Sequence, residues 1–248
     1  MGPPVSTHER LAESIVDAGF VARALRGLPA AFELMPAGSE ARFVPINTNV
    51  NWASGRAKRA LDLIVAVPAL VVLAPLLALI AILNRIDSPG PVFFRQQRSG
   101  VCGTTFRIFK FRTMHVLEDG DTVMQARRGD ARVTRLGCWL RTYSLDELPQ
   151  LLNVIRGEMS LVGPRPHARA HDVLYSGLVR DYRHRHAVKP GLTGWAQVNG
   201  LRGPTPTLES MVRRIECDLW YARRASFALD LMILARTPYE VLLKRNAY

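Results

Sequence analysis

The adjacent carboxylates Asp146 and Glu147 are the clearest candidates for chemistry in this chain. A positioned carboxylate can act as a nucleophile, as a general base or as a ligand for a hard cation such as Mg²⁺. Arg141 and Arg156 lie close to the pair in the sequence. Because arginine binds phosphate groups well, this neighbourhood suits a substrate that carries phosphate.

Two interpretations of the acidic pair remain open on local sequence alone. Ser144-x-x-Glu147 has the form of a capping box, in which Glu147 would only satisfy backbone N–H groups. Pro149 would then be the fifth residue of the helix, where its ring clashes with an upstream carbonyl. A helix that begins nearer Pro149 would leave both carboxylates at its N-terminus, a position that favours phosphate binding.

Two further stretches have the residue types of a phosphate or nucleotide site. Gly163-Pro-Arg165-Pro166 holds one guanidinium between two rigid prolines, either as a phosphate clamp or as an ordinary loop arginine. The glycine-rich stretch of residues 189–203, which includes Lys189 and Gln197, is expected to be a loop. Its exposed backbone N–H groups could hold a nucleotide.

Other chemical signatures are absent from the sequence or weak. The chain contains no G-x-S-x-G, P-loop, G-x-G-x-x-G or H-E-x-x-H motif. His167 and His171 are four residues apart and could share a helix face, but no third metal ligand is evident. Asp119-Gly-Asp121 could be the D-x-D metal motif of a glycosyltransferase, although a solvated turn is the simpler interpretation.

The charge of the chain predicts a polyanionic partner. The 248 residues carry a formal net charge of +12, and 29 of the 33 basic residues are arginine. No run of five like charges occurs and 48% of the residues are apolar, so we expect phosphorylated ligands and membrane lipids as partners and no nucleic acid. Three cysteines without a C-x-x-C pair fit a reducing compartment.

An apolar segment of 21 residues, 63–83, is long enough to cross a bilayer as a helix. Pro68 and Pro75 interrupt it, and basic residues flank both of its ends. The positive-inside rule would therefore place both ends in the cytoplasm. We expect a re-entrant helix, broken near Pro75, that enters and leaves by the same leaflet; a straight span and a buried core helix are the alternatives.

The remaining pattern predicts an α+β fold that is mostly helical. Residues 92–97 and 106–113 are expected to form a small β-hairpin, with Lys110 and Arg112 on one face of its second strand. Apolar spacing predicts a helix over 208–219 and another after Ser226, which Pro238 should end or kink. We expect an N-terminal extension with a short amphipathic helix and a linker (1–55), the membrane helix (56–87) and a catalytic domain on the cytosolic side (88–248).

Six motifs in this chain resemble those of the bacterial sugar transferase family, the monotopic polyprenyl-phosphate phosphoglycosyl transferases. They are Gln97-Arg98-x-Gly100, Lys110-Phe-Arg-Thr-Met114, Ser144-Leu-Asp-Glu-Leu148, Leu161-Val-Gly-Pro-Arg-Pro166, Lys189-Pro-Gly-Leu-Thr-Gly-Trp-Ala-Gln-Val-Asn-Gly200 and the segment 218–230. They run in the family's order over about three quarters of the chain. The resemblance implies a monotopic membrane protein with a re-entrant helix and amphipathic interfacial helices, and Pro75 matches the helix-breaking proline.

The resemblance implies transfer of a sugar-1-phosphate from a UDP-sugar to polyprenyl (undecaprenyl) phosphate, with release of UMP. UDP-glucose or UDP-galactose would be the donor, and the product would begin exopolysaccharide or glycoconjugate assembly. Asp146 would be the nucleophile that forms an aspartyl-phosphosugar, and Glu147 would assist. Mg²⁺, with Asp146 among its ligands, would neutralise the diphosphate, and Arg165 would clamp the nucleotide or phosphate.

Basic and amide side chains in or near these motifs are the candidates for substrate and phosphate binding. They are Arg98, Lys110, Arg112, Arg141, Arg165, Lys189, Gln197 and Arg202. The expected location is the cytoplasmic face of a bacterial inner membrane, with self-association as a further expectation. Lys189 stands where the family usually has arginine, which keeps the charge and loses the bidentate fork.

Two rival functions remain open. A metal-dependent glycosyltransferase that uses Asp119-Gly-Asp121 would release UDP instead of UMP. A non-catalytic scaffold at the membrane surface would use Asp146 and Glu147 only as a helix cap.

Overall fold

The computed structural model describes residues 50–115, 129–205 and 207–242, and within these the fold is mostly helical with two small sheets. The helices are α1 (Val50–Ala53), α2 (Arg56–Asp87), α3 (Arg135–Thr142), α4 (Leu151–Arg156), α5 (Arg169–Leu178), α6 (Trp195–Val198), α7 (Leu208–Arg224) and α8 (Phe227–Leu242). The strands are β1 (Phe93–Ser99), β2 (Thr105–Phe111), β3 (Ser160–Val162) and β4 (Gly191–Thr193). The predicted N-terminal helix and Asp119-Gly-Asp121 lie outside the described residues.

The predicted hairpin is present. Strands β1 and β2 pair antiparallel, from Phe93 opposite Phe111 to Ser99 opposite Thr105, and a short 3₁₀ turn at Val101–Gly103 joins them. The interpretation of residues 106–113 as one strand is correct up to Phe111, where β2 ends.

The glycine-rich stretch is not the open loop that the sequence suggested. Its first residues form β4, which pairs in parallel with β3, and α6 follows. A Cβ on Gly163 would lie 2.3 Å from the carbonyl oxygen of Lys189, and a Cβ on Gly191 would lie 2.1 Å from the nitrogen of Gly163. These glycines therefore allow two backbones to approach closely.

The apolar segment forms the middle of α2, a helix of 32 residues. It is long and apolar enough to cross a membrane, and only 11% of its most apolar 18-residue window is buried in the protein. Such low burial is not that of a soluble protein's core helix. The helix runs without interruption through Pro68 and Pro75, so the expected break is not confirmed.

The N-terminal end of α2 is tied to the rest of the protein by buried polar contacts. Lys58 Nζ donates to Asp230 Oδ2 of α8 at 2.5 Å. Asp62 Oδ1 accepts hydrogen bonds from Ser160 Oγ and from the backbone N–H of Leu161, both at 2.9 Å. Because both residues of α2 are buried with their partners, this end is fixed to β3 and α8.

The C-terminal end of α2 is tied to the hairpin. Asn84 Nδ2 donates to the carbonyl oxygen of Arg112 at 2.5 Å. The Arg112 guanidinium donates to the carbonyl oxygens of Ser88 (2.6 Å) and Pro89, and to Oδ1 of Asn84 at 3.2 Å. Arg112 therefore satisfies carbonyl groups at the end of the helix.

Three apolar clusters hold these elements together. The largest joins α2 to β2, β3, α4, α7 and α8, the second joins α5 to α7, and the third joins the C-terminal half of α2 to the end of β2 and to α3. Fully buried members of the three clusters include Ala66, Ile108, Val154, Tyr221, Ile233, Tyr182, Met211, Ile215, Ile80, Phe111 and Leu140. Helix α7 begins at Leu208, where Thr207 and Ser210 form its capping box. Helix α8 continues past Pro238 to Leu242, so that proline does not end it.

Candidate active site

Asp146 and Glu147 lie in a 3₁₀ segment, Leu145–Gln150, that leads directly into α4; we call it the Asp-Glu segment. Ser144, the residue before it, has a left-handed backbone with φ of 54°, and its side chain makes no capping hydrogen bond. The capping-box interpretation is therefore wrong. A left-handed residue that is not glycine is uncommon, and such strain concentrates at functional sites.

Glu147 is a carboxylate whose two oxygens are engaged by cations. Lys110 Nζ donates to Oε1 at 2.7 Å, and Arg165 donates to Oε2 at 2.8 Å and to Oε1 through its second nitrogen. Burial alone would raise the pKa of Glu147, but the charges of Arg165 and Lys110 hold it well below its usual range. Glu147 is therefore an ionised group that orients two basic side chains.

Asp146 differs from Glu147 in its hydrogen-bond partners and in the direction of its pKa shift. Its side chain is buried, and it accepts no hydrogen bond from any residue in the described parts of the chain. Burial raises the pKa of Asp146 to about 6, Lys110 opposes this, and the neighbouring charge of Glu147 adds to it. Asp146 is thus a carboxylate that is ionised at neutral pH and has no hydrogen-bond partner among the described residues.

The backbone around Arg165 is held by two other arginines. Arg185 Nη2 donates to the carbonyl oxygen of Arg165 at 2.6 Å, and Arg98 Nη1 donates to that of Pro166 at 3.1 Å. Arg185 is in turn paired with Asp218, at 2.8 Å and 3.1 Å from Oδ2. The guanidinium that reaches Glu147 is therefore fixed through its own main chain.

Five predicted basic residues surround the acidic pair. Beyond the effect of burial, Lys110, Arg141 and Arg165 each lower the pKa of Asp146. Arg98 is close enough to lower the pKa of Lys110, after the larger effects of burial, Glu147, Arg165 and Asp146. Burial lowers the pKa of Arg202, which Glu147 and Asp146 also influence. The site is therefore strongly cationic around one unoccupied carboxylate, as binding of a phosphorylated substrate requires.

Three other predicted residues lie apart from this group. Arg112 is engaged at the end of α2, so the geometry supports a structural role for it instead of phosphate binding. Lys189 lies beside Arg59 near the end of α4, where a Cβ on Gly157 would come within 3.7 Å of its Nζ. Pro75 is on the exposed side of α2.

Gln197 lies on the wall of a cavity of about 360 Å³ that also borders Glu147 and Arg202. Its Nε2 donates to the carbonyl oxygen of Leu192 at 3.0 Å, while its buried Oε1 has no partner among the described residues. Gln197 thus borders the same cavity as Glu147 and can accept one hydrogen bond from a ligand.

Sequence reasoning missed the support beneath Arg165. Arg185, Asp218 and Asp172 form a buried charged group, and Tyr182 donates to Asp172 at 2.6 Å. His167 hydrogen-bonds Tyr182 through Nδ1 at 2.6 Å, so it belongs to this network. No group of three potential metal-binding side chains occurs within the described residues, and the His167 and His171 pair gains no third ligand there.

A cationic site around a carboxylate with no hydrogen-bond partner among the described residues, in a protein with a helix apolar enough to cross a membrane, fits an enzyme that handles phosphorylated substrates at a membrane. The family model for bacterial sugar transferases matches residues 53–244, and the chain belongs to that family.

Several relatives have named activities. A UDP-glucose:undecaprenyl-phosphate glucose-1-phosphate transferase of Caulobacter vibrioides is 54% identical over 191 residues, which are 77% of this chain and 72% of that protein. A transferase with the same name from Xanthomonas campestris pv. campestris is 53% identical over 193 residues, which are 77% of this chain and 40% of that protein. A UDP-N-acetylgalactosamine-undecaprenyl-phosphate N-acetylgalactosaminephosphotransferase of Aeromonas hydrophila is 40% identical over 75% of this chain and 43% of its own length. This chain thus spans less than half the length of two of these relatives.

Proposed function

We propose that this protein transfers glucose-1-phosphate from UDP-glucose to undecaprenyl phosphate and releases UMP, the first step of assembly of an exopolysaccharide or related glycoconjugate. The observation that carries the proposal is the contrast within the Asp-Glu segment. Glu147 is engaged by Lys110 and Arg165, whereas Asp146 is buried, ionised at neutral pH and without a hydrogen-bond partner among the described residues. A carboxylate in that state can attack phosphorus.

The reaction proceeds in two displacements. One oxygen of Asp146 attacks the β-phosphorus of the UDP-sugar, the bond to the bridging oxygen breaks, and UMP leaves with the electron pair. An aspartyl-phosphosugar remains. A phosphate oxygen of the acceptor then attacks the same phosphorus, so that the Asp146 carboxylate is released and polyprenyl diphosphate-sugar forms. Lys110, Arg165 and Arg141 stabilise the negative charge on the phosphoryl oxygens in both steps.

Mg²⁺ fits this residue set in a limited way. Mg²⁺ typically takes one or two protein carboxylates and completes its shell with water and substrate phosphates. Asp146 would supply one such oxygen ligand, while both oxygens of Glu147 are already engaged by cations. When bound, the ion would neutralise charge on the diphosphate.

We propose that α2 is re-entrant and that the site faces the cytoplasm at the inner membrane. The N-terminal end of α2 is bonded to β3 and α8, and its C-terminal end is bonded to the hairpin of the same protein. A straight span would carry these two ends to opposite sides of a bilayer. Exposed apolar side chains on α8, among them Phe227, Leu231 and Tyr239, suit an interfacial helix.

The choice of sugar follows the relatives. Relatives named for UDP-glucose are 47–54% identical to this chain, whereas one named for N-acetylgalactosamine is 40% identical. UDP-galactose, the other predicted donor, belongs in the test panel.

The test is nucleotide release by the purified protein in nanodiscs. The reaction contains undecaprenyl phosphate, Mg²⁺ and one UDP-sugar from a panel of glucose, galactose and N-acetylgalactosamine donors. We expect UMP from UDP-glucose and a loss of about a thousandfold or more in Asp146→Asn. Asp181→Asn, at an exposed left-handed position that asparagine accepts, is the matched control and should keep full activity.

The alternatives give different results. Release of UDP would establish a metal-dependent glycosyltransferase instead. If the protein releases no nucleotide from any donor, the result would support the alternative of a non-catalytic scaffold at the membrane surface. Mass spectrometry of the protein incubated with UDP-glucose alone tests the covalent step, since a hexose-phosphate adduct should appear on the peptide that contains Asp146.

A further inference from the structure

The cavity beside Glu147 has a largely apolar interior. It has a volume of about 360 Å³ and lies between the Asp-Glu segment, the β4–α6 turn and the C-terminal half of α8. Its apolar wall includes Leu148, Leu161, Leu192, Val198, Leu234 and Val241. The volume is within the range of small-molecule sites.

Three polar side chains on the wall are poorly suited to a diphosphate or a sugar. Glu240 is buried at the wall, and its carboxylate would repel a diphosphate placed inside. Thr193 and Thr237 hydrogen-bond each other at 2.8 Å, so they offer little to sugar hydroxyl groups. Arg202, by contrast, lies near the acidic pair, at the end where a phosphate would sit. The interior therefore suits an apolar chain whose anionic head remains beside Arg202.

The cavity wall is continuous with the packing surface of α2. Leu161 and Val198 belong to the cluster of buried residues that contains Ala66 of α2, and Leu192 and Leu234 pack against it. Leu145, also on the cavity wall, packs against the other cluster of α2, which contains Ile80. Apolar side chains therefore connect α2 with the cavity wall.

We propose that this cavity binds the first isoprene units of the polyprenyl phosphate acceptor, with the phosphate beside Arg202 and the acidic pair. The inference rests on the proposed function, because it assigns a place to one of that reaction's two substrates. It makes the cavity an acceptor subsite that distinguishes a prenyl chain from the nucleotide sugar.

The first experiment fills the cavity from its α8 side. Val241→Trp should raise KM for undecaprenyl phosphate by about tenfold or more and leave KM for UDP-glucose within about twofold. Leu242→Trp, at the next residue and exposed, is the matched control and should change neither constant. Leu234→Phe fills the same cavity from another turn of α8 and keeps the test decisive where Val241→Trp fails to fold. An unchanged acceptor KM in a folded cavity variant, or an increase confined to UDP-glucose, overturns the proposal.

The second experiment needs no turnover. A farnesyl phosphate with a benzophenone at its chain end is irradiated with the protein, and the cross-linked peptides are identified by mass spectrometry. Cross-links should fall on β4 or α8 at the cavity wall, and Val241→Trp should abolish them. If the wild type releases no UMP but gives these cross-links, the proposed function fails and the isoprenoid site stands. Active protein with cross-links only elsewhere refutes the site and leaves the function intact.

Discussion

Asp146 and Asp230 are both buried aspartates near a lysine, yet their surroundings differ. Asp230, with no exposed surface, accepts hydrogen bonds from Lys58 at 2.5 Å, Tyr221 at 2.7 Å and Trp52 at 2.9 Å. Asp146 accepts none from the described residues, and burial raises its pKa to about 6. The lesson is that burial alone does not distinguish a structural carboxylate from a reactive one; saturation of its oxygens does.

The largest effect on stability should follow from Asp230→Asn. This change leaves the ammonium of Lys58 buried without its counter-charge, which should lower the free energy of unfolding by about 3–5 kcal/mol. Chemical denaturation in detergent measures the loss. Activity per folded molecule should stay near the wild-type value. A folded but inactive variant would show that Asp230 takes part in the chemistry and that the distinction between a structural Asp230 and a reactive Asp146 is wrong.

Asp146→Asn should act in the opposite direction on stability. The folded-state pKa of about 6 is above the unfolded value of 3.8, so the ionised carboxylate favours unfolding, and stability is lost as the pH rises through 6. The variant lacks this penalty and should be more stable at pH 8 by up to about 3 kcal/mol. The gain should vanish below pH 4, which melting temperatures across the pH range will test. A variant less stable than wild type at pH 8 contradicts the assignment.

The pH dependence of the first displacement sharpens the comparison. Only ionised Asp146 attacks phosphorus, so the rate should fall about tenfold per unit as the pH drops below 6. Glu147 stays ionised in this range, because Arg165 and Lys110 hold its pKa well below its usual value despite burial. The rate is measured as a UMP burst from UDP-glucose without acceptor, which removes titration of the acceptor phosphate. A flat profile between pH 5 and 8 would exclude Asp146 as the titrating group.

The smallest of these effects is expected from Arg185→Lys. Arg185 Nη2 bonds both the carbonyl oxygen of Arg165 and Asp218, and lysine has no second nitrogen to replace the contact of Nε with Asp218. The loop that carries Arg165 should then become less rigid, and kcat should fall about tenfold while KM for UDP-glucose changes little. Arg213→Lys, in an exposed pair with Glu209, is the control for loss of an arginine. Equal effects of the two substitutions would show that Arg185 does not position Arg165.

The sequence predicted the residues that meet at the site better than those that support it. Short motifs predicted Asp146, Glu147, Lys110 and Arg165, and the structure brings these residues together. Such motifs are visible in the sequence because a reaction requires particular residue types at particular positions. Arg185 and Asp218 are 33 positions apart on different elements, and no local period connects them.

Two errors have identifiable causes. The alternation rule placed Arg112 beside Lys110, but β2 ends at Phe111, and the rule holds only inside a strand. The glycines of residues 189–203 were interpreted as exposed loop, whereas Gly191 serves the close approach of β3 and β4. Glycine suits both structures, so composition alone could not separate them.

The contact between Lys58 and Asp230 also sets an order of events during synthesis. The two residues are 172 positions apart, so at about 5–20 residues per second the ribosome adds Asp230 roughly ten to thirty seconds after Lys58. Throughout that interval Lys58 lacks its counter-charge, Asp230, and α2 lacks the surface of α8 against which it packs. A helix this apolar must be covered meanwhile by lipid or by a chaperone. The contact between Lys58 and Asp230 is therefore among the last to form, after α2 has already been covered by lipid or by a chaperone.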